Sequence, residues 1–115
     1  MVTEFSLKSE IKNDCLLMQP IGYINNNGGE TIFKEFLNHS KKGFKKVVID
    51  LSKSNVINSI GISFLIEIID KLNDEKGKLF FANTDPAIEK TFSIMGIYQF
   101  AQKASTVDEA LNKMK

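Results

Sequence analysis

The sequence holds one cysteine, one histidine and almost no net charge, and each shortage closes off a class of chemistry. A lone thiol, Cys15, forms no disulfide within the chain and no site of several thiolates, which fits a reducing compartment. It reads as a small buried apolar group. His39 sits in the polar run Asn38-His39-Ser40-Lys41-Lys42 and reads as solvated surface, so a histidine metal cluster or a Ser-His pair has nothing further to draw on. Lys and Arg number 15 against 14 Asp and Glu, a formal charge of +1, far from the basic excess that neutralises a phosphate backbone. Nucleic acid is not an expected partner. No stretch reaches the roughly 18 apolar residues of a membrane span, and MVTEFSLKSEIKND has no charged flank followed by a long apolar run. The expectation is a cytoplasmic protein without direct membrane insertion.

Sequence signatures of catalysis are missing as well. Gly28-Gly29 stands alone, without the spacing of a phosphate-binding glycine loop, and neither H-E-x-x-H, C-x-x-C nor G-x-S-x-G occurs. The carboxylates are scattered over expected solvent faces and form no evident acid/base pair. No catalytic residue, metal ligand or cofactor is expected.

What is present is the composition of a globular chain, 43% hydrophobic and 25% charged. Area scaling predicts about 6,300 Å² of folded surface against about 18,700 Å² extended, enough for one domain over residues 1–115. Thr3 to Lys12 alternates, with Phe5, Leu7 and Ile11 on one face, as in a half-buried strand. Asn13-Asp14 supplies a turn, and the apolar run from Cys15 to Ile24 completes an antiparallel hairpin. The polar segment Asn25-Asn26-Asn27-Gly28-Gly29 reads as a loop. Helical spacing follows at Ile32, Phe33, Phe36 and Leu37, with Gly43 past the helix end. Lys46 to Leu51 is continuously β-rich, as in a parallel strand covered on both faces. Gly61 to Glu75 is a second helix and Lys78 to Ala82 a further strand. Asp85-Pro86 opens a third helix whose buried stripe is Ile88, Phe92 and Met95. Tyr98 to Ala104 is a weaker strand, and Thr106-Val107-Asp108-Glu109 a capping box that opens a last helix. The pattern predicts an α/β fold: a mixed sheet with an antiparallel hairpin first, then right-handed strand-helix-strand units, flanked by about four helices.

In such sheets reactive and binding groups gather at the carboxyl ends of strands and the amino ends of the helices that follow. Asp50 to Ile62 occupies that place, with Asn58 or Ser59 positioned to cap the second helix. Ser59 reads either as a plain cap residue or as a hydroxyl whose phosphate would sit on the helix dipole. Asp50 ends the buried strand like an acceptor aspartate, but the acidic pair that would hold Mg²⁺ is missing. Along the second helix, Ile62, Leu65, Ile66, Ile69 and Leu72 form one apolar side, while Ile60, Phe64 and Ile68 form another, largely opposite. Either a neighbouring helix covers this second stripe or it meets another protein.

These residues resemble the STAS domain family, and within it the stand-alone anti-sigma factor antagonists. Val47-Val48-Ile49-Asp50-Leu51-Ser52 and then Val56-Ile57-Asn58-Ser59-Ile60-Gly61-Ile62 are similar to the family's D-L-S, apolar pair and D-S-[ST]-G-[LI]. Gly22-Tyr23-Ile24-Asn25 is similar to its G-x-L-D, Phe80-Phe81-Ala82-Asn83 to its fourth strand, Met95-Gly96-Ile97 to its T-G-[LI], and Ser105 to Leu111 to its closing S-x-x-E-A-L. The resemblance implies a regulatory binding module, not an enzyme. In the family the domain binds an anti-sigma factor that is also a serine kinase of the GHKL type, in a partner switch controlling transcription, and is phosphorylated just before the motif glycine. Here that position is Ile60, which leaves Ser59 as the candidate phosphosite, and two acidic positions are the amides Asn25 and Asn58. The partner surface is expected at Asn25, Asn58, Ser59, Ile60, Gly61, Phe64 and Ile68. The alternative is a STAS accessory subunit of a lipid or anion transport system.

Overall fold

The computed structural model describes residues 4–115, so the expected strand start at Thr3 lies outside the described residues. Its elements are β1 (Ser6–Lys12), β2 (Cys15–Ile21), α1 (Asn26–Ser40), β3 (Lys46–Asp50), α2 (Ser59–Asp74), β4 (Lys78–Ala82), α3 (Pro86–Ile94), a 3₁₀ turn (Ile97–Gln99), β5 (Gln102–Ala104) and α4 (Val107–Lys113). The strands form one sheet in the order β1-β2-β3-β4-β5. Only β1 and β2 pair antiparallel; the other neighbours run parallel. The expected mixed sheet with four helices is present.

The continuous apolar run of β3 follows from its central place. Val47 and Ile49 enter a core with Phe36 of α1, Leu65 of α2 and Phe92 of α3, while Val48 enters a second core with Ala110 and Leu111 of α4. Three helices therefore cover one face and one covers the other, and such a strand shows no alternation. At the hairpin tip Asn13 and Asp14 both have positive φ, 54° and 65°, as a two-residue turn of type I′ requires. Asp85 caps α3 through the Ala87 N–H at 2.9 Å. Thr106 caps α4 through the Glu109 N–H at 3.1 Å.

Several elements depart from the sequence pattern. Asn25 to Gly29 is not a loop: Asn25 caps α1 and the glycine pair lies in its first turns. Ile11 is 43% exposed, at the hairpin end of the outermost strand. Met95 lies past the last turn of α3 and is exposed. The segment after it forms a 3₁₀ turn, so β5 keeps only three residues. His39 is half-buried, edge-on to Phe44 at 5.9 Å and with Nε2 3.2 Å from the Glu35 carboxylate. Cys15 is buried, and burial pushes its thiol pKa up.

The largest correction concerns the second stripe of α2. Ile68 is fully buried and Phe64 half-buried, because α1 lies across that side of the helix. The Phe64 ring rests 5.9 Å from that of Phe33. Gly29 and Gly61 permit this crossing. A Cβ on Gly29 would stand 2.7 Å from the Phe64 ring and 3.0 Å from the Gly61 Cα, and one on Gly61 would strike the Ile24 carbonyl oxygen. Ile68 is thus core and no part of an exposed partner surface.

Alanine is favoured over glycine inside a helix by about 1 kcal/mol, but overpacking a close contact costs about 1–3 kcal/mol. Gly61→Ala meets backbone that cannot rotate aside, so the clash wins. Urea unfolding of Gly61→Ala and Gly29→Ala is expected to show lower stability in both; a gain in either would contradict the crossing.

Candidate functional site

The segments that follow β2 and β3 are zipped together. Gly22 N–H donates to the Lys53 carbonyl at 3.0 Å, Ile24 N–H to the Val56 carbonyl at 3.0 Å, and Asn58 N–H to the Ile24 carbonyl at 3.1 Å. Ile24 and Ile57 form an isolated parallel bridge. Ser54, itself buried, adds an Oγ–H bond to the Gly22 carbonyl at 2.6 Å. This extension of the sheet brings the amino ends of α1 and α2 side by side.

Two asparagines finish those ends. Asn25 Oδ1 accepts from the Gly28 N–H at 2.9 Å, and Asn58 Oδ1 accepts from the Gly61 N–H at 2.7 Å. Asparagine caps as well as aspartate does, but it brings no charge and its amide still has donors. Asn58 uses one: its Nδ2 donates to Asn26 Oδ1 at 3.2 Å and ties the two ends together. Neither helix carries an acidic residue in its first turn. Two adjacent positive helix ends therefore face solvent with no carboxylate to offset them.

Ser59 is the first residue of α2 and exposed, and Ile60 beside it is 45% exposed. Asn25, Asn58, Ser59, Ile60 and Gly61 all meet in this one place, as the sequence pattern suggests. Phe64 is half-covered by α1, and Ile68 lies beneath it in the core. The structure adds Tyr23, which was not singled out from the sequence. Because Ile24 pairs with Ile57 and both point inward, the preceding residues Tyr23 and Val56 point outward, 45% and 51% exposed. Continuing the β2 alternation past Gly22 is the signal that finds Tyr23. The result is an apolar surface of Tyr23, Val56 and Ile60 beside the capping amides and the Ser59 hydroxyl.

Asp50 supports this site from below. It is buried at the end of β3, and Oδ1 accepts from the Ser52 N–H and from Asn83 Nδ2, both at 3.0 Å, while Oδ2 accepts from Gln19 Nε2 at 2.9 Å. Burial alone would raise its pKa. The bonds from Asn83, Ser52 and Gln19 outweigh burial and hold the carboxyl below its usual value. Asp50 thus joins the ends of β2, β3 and β4 and fixes where the loop before α2 departs. Gln19 and Asn83 are partners that no local pattern announces. Among the described residues no group of three His, Cys, Asp or Glu side chains is placed to hold a metal ion, and no helix is long and apolar enough to cross a membrane.

Residues 6–110 match the STAS domain family. A curated relative from Bordetella bronchiseptica, named "Putative anti-sigma factor antagonist BtrV", is 24% identical over 94 residues, 82% of this chain and 81% of the relative. Among solved structures, an anti-sigma factor antagonist from Mycobacterium paratuberculosis superposes with a TM-score of 0.86 at 19% identity, covering 99% of this chain and 98% of the other. The anti-sigma factor antagonist SpoIIAA in its unphosphorylated form gives 0.75 at 15% identity, with 96% of each chain covered.

The Asp50 network makes a pH prediction. A carboxyl with a lowered folded pKa contributes stability that is fully present above its unfolded value near pH 4 and is lost as pH falls through the folded value. Asp50→Asn is expected to be less stable by about 1–3 kcal/mol at pH 7. The gap to wild type should close as the pH is taken below about 4. Chemical denaturation at stepped pH reads this, and a gap that stays constant down to pH of about 2 would contradict it.

Proposed function

The chain belongs to the STAS domain family, and we propose that within it this protein is an anti-sigma factor antagonist, a cytoplasmic binding module and not an enzyme. Its partner is an anti-sigma factor of the GHKL serine-kinase type, bound in a partner switch that controls transcription. The observation that carries this reading is the surface at the amino end of α2, where exposed Tyr23, Val56 and Ile60 adjoin Asn25, Asn58, Ser59 and Gly61. An exposed cluster with aromatic and branched anchors beside polar groups is suited to protein recognition. The similarity to proteins named as anti-sigma factor antagonists supports the same assignment.

Regulation differs from the usual switch. Phosphoryl transfer requires an oxygen nucleophile in line with the leaving group, and Ile60 offers none. Ser59 lies one residue earlier in the same helical turn, so its hydroxyl is turned about 100° around the axis from position 60. That displacement spoils the alignment a kinase presents. The neutral caps Asn25 and Asn58 fit this reading, since they withdraw the acidic groups that accompany the usual acceptor. The protein therefore holds its partner without being released by phosphate, either as a constitutive antagonist or under another control.

Ile60→Asp tests the surface. It places a charge in the contact without touching the core, so thermal stability should stay within about 0.5 kcal/mol of wild type while affinity for the anti-sigma factor falls about tenfold or more. Unchanged affinity would exclude Ile60 from the interface. Incubation with the partner kinase and ATP is expected to leave the intact mass of the wild type unchanged. Efficient addition of one phosphate, mapped to Ser59 and lost in Ser59→Ala, would restore an ordinary switch with a displaced acceptor.

A further inference from the structure

The sheet has two edges, and they are unequal. β5 offers three residues, whereas β1 offers seven and, among the described residues, carries no strand on its outer side. Lys12 and Cys15 close the two-residue turn as a hydrogen-bonded pair, so the even-numbered residues of β1 bond to β2. The N–H and C=O groups of Leu7, Ser9 and Ile11 consequently point to the open edge. An edge of this length is a template for another strand unless something prevents it.

We propose that β1 pairs antiparallel with β1 of a second copy of this chain, about a two-fold axis at Ser9, making one ten-stranded sheet. The register follows from the sequence SLKSEIK. Centred on Ser9, Lys8 of each copy stands opposite Glu10 of the other, and Leu7 opposite Ile11. Leu7, Ser9 and Ile11 then form the hydrogen-bonded pairs, which agrees with the direction of their free backbone groups. The two Lys8–Glu10 pairs fall at the narrower non-hydrogen-bonded positions, where opposite charges interact best.

The two nearest in-phase registers are opposed by charge. Centring on Lys8 sets that lysine against itself. Centring on Glu10 sets Glu10 against itself and Lys8 against Lys12. A slip of one residue pairs backbone groups that point apart and mixes the two faces of the strand. Lys8 and Glu10 are both exposed in the isolated chain, so nothing else neutralises them, and pairing would cover Ile11, which is otherwise bare. Charged residues on an edge usually discourage pairing; here the Lys-Ser-Glu order is complementary to its own reversal, and although centring on Ile11 also sets Glu10 against Lys12, that register pairs only three of the seven strand residues.

The dimer goes beyond the proposed antagonist role and leaves it intact. β2 separates β1 from β3, and the two-fold axis reverses strand direction between copies, so the two α2 amino ends emerge from opposite ends of the joined sheet. Both remain open to a partner.

Sedimentation equilibrium of the full chain tests this. The wild type is expected to dimerise reversibly, with a mass approaching twice 12.9 kDa at high concentration. Lys8→Glu should raise the dissociation constant at least about tenfold, and Lys8→Glu with Glu10→Lys should restore it. Ser9→Pro, which removes an outward N–H without breaking a bond to β2, should also give monomer. Circular dichroism confirms that each variant is folded. A wild type that stays monomeric up to about 1 mM, or a dimer that Lys8→Glu leaves undiminished, would overturn the proposal.

Discussion

The hydrogen-bonded seam between Gly22–Asn25 and Lys53–Asn58 is what the rest of the molecule depends on. It continues the β2–β3 pairing past the ends of both strands, and α1 and α2 begin where it stops. Their amino ends are therefore held adjacent by backbone geometry. Side-chain bonds from Ser54 to the Gly22 carbonyl and from Asn58 to Asn26 add to it. The same seam brings the helices so close that Gly29 and Gly61 have no room for a side chain. Asp50 extends the constraint downward by joining Gln19, Ser52 and Asn83, so the loop before α2 is fixed at both ends. Preorganisation of this kind lowers the ordering cost of binding.

Features set by near neighbours in sequence were legible before the structure. The unbroken run Val47 to Leu51 identified a strand buried on both faces, Asp85 and Thr106 were recognisable as caps, and the cap of α2 was narrowed to Asn58 or Ser59, because capping joins residues two or three apart. Features set by distant contacts were not. Gly28-Gly29 carries the composition of a loop, yet Gly29 lies against Phe64 and Gly61, and nothing within five residues reveals that. The two apolar stripes of α2 are equal in the sequence; only the position of α1 decides that Ile68 is core while Ile60 stays bare. Gln19 and Asn83 lie 31 and 33 residues from Asp50, so the bonds that hold its charge had no local signature.

The site is chemically quiet. With two amide caps, one exposed hydroxyl and an exposed isoleucine, what it offers a partner is mainly shape and apolar contact. A switch that works by phosphate adds near −2 of charge at a helix end to break a contact; here the residue before Gly61 is Ile60, which carries no hydroxyl. On the proposed reading, control would then lie in competition for the partner or in its abundance.

Amide chemical shifts measured while the anti-sigma factor is titrated in test most directly the proposal that a partner protein docks at the amino end of α2. The largest changes are expected on Tyr23 to Asn26 and Val56 to Phe64, with β1 and α4 unmoved. Changes centred on α4 or on the β1 edge, with the α2 amino end silent, would contradict it.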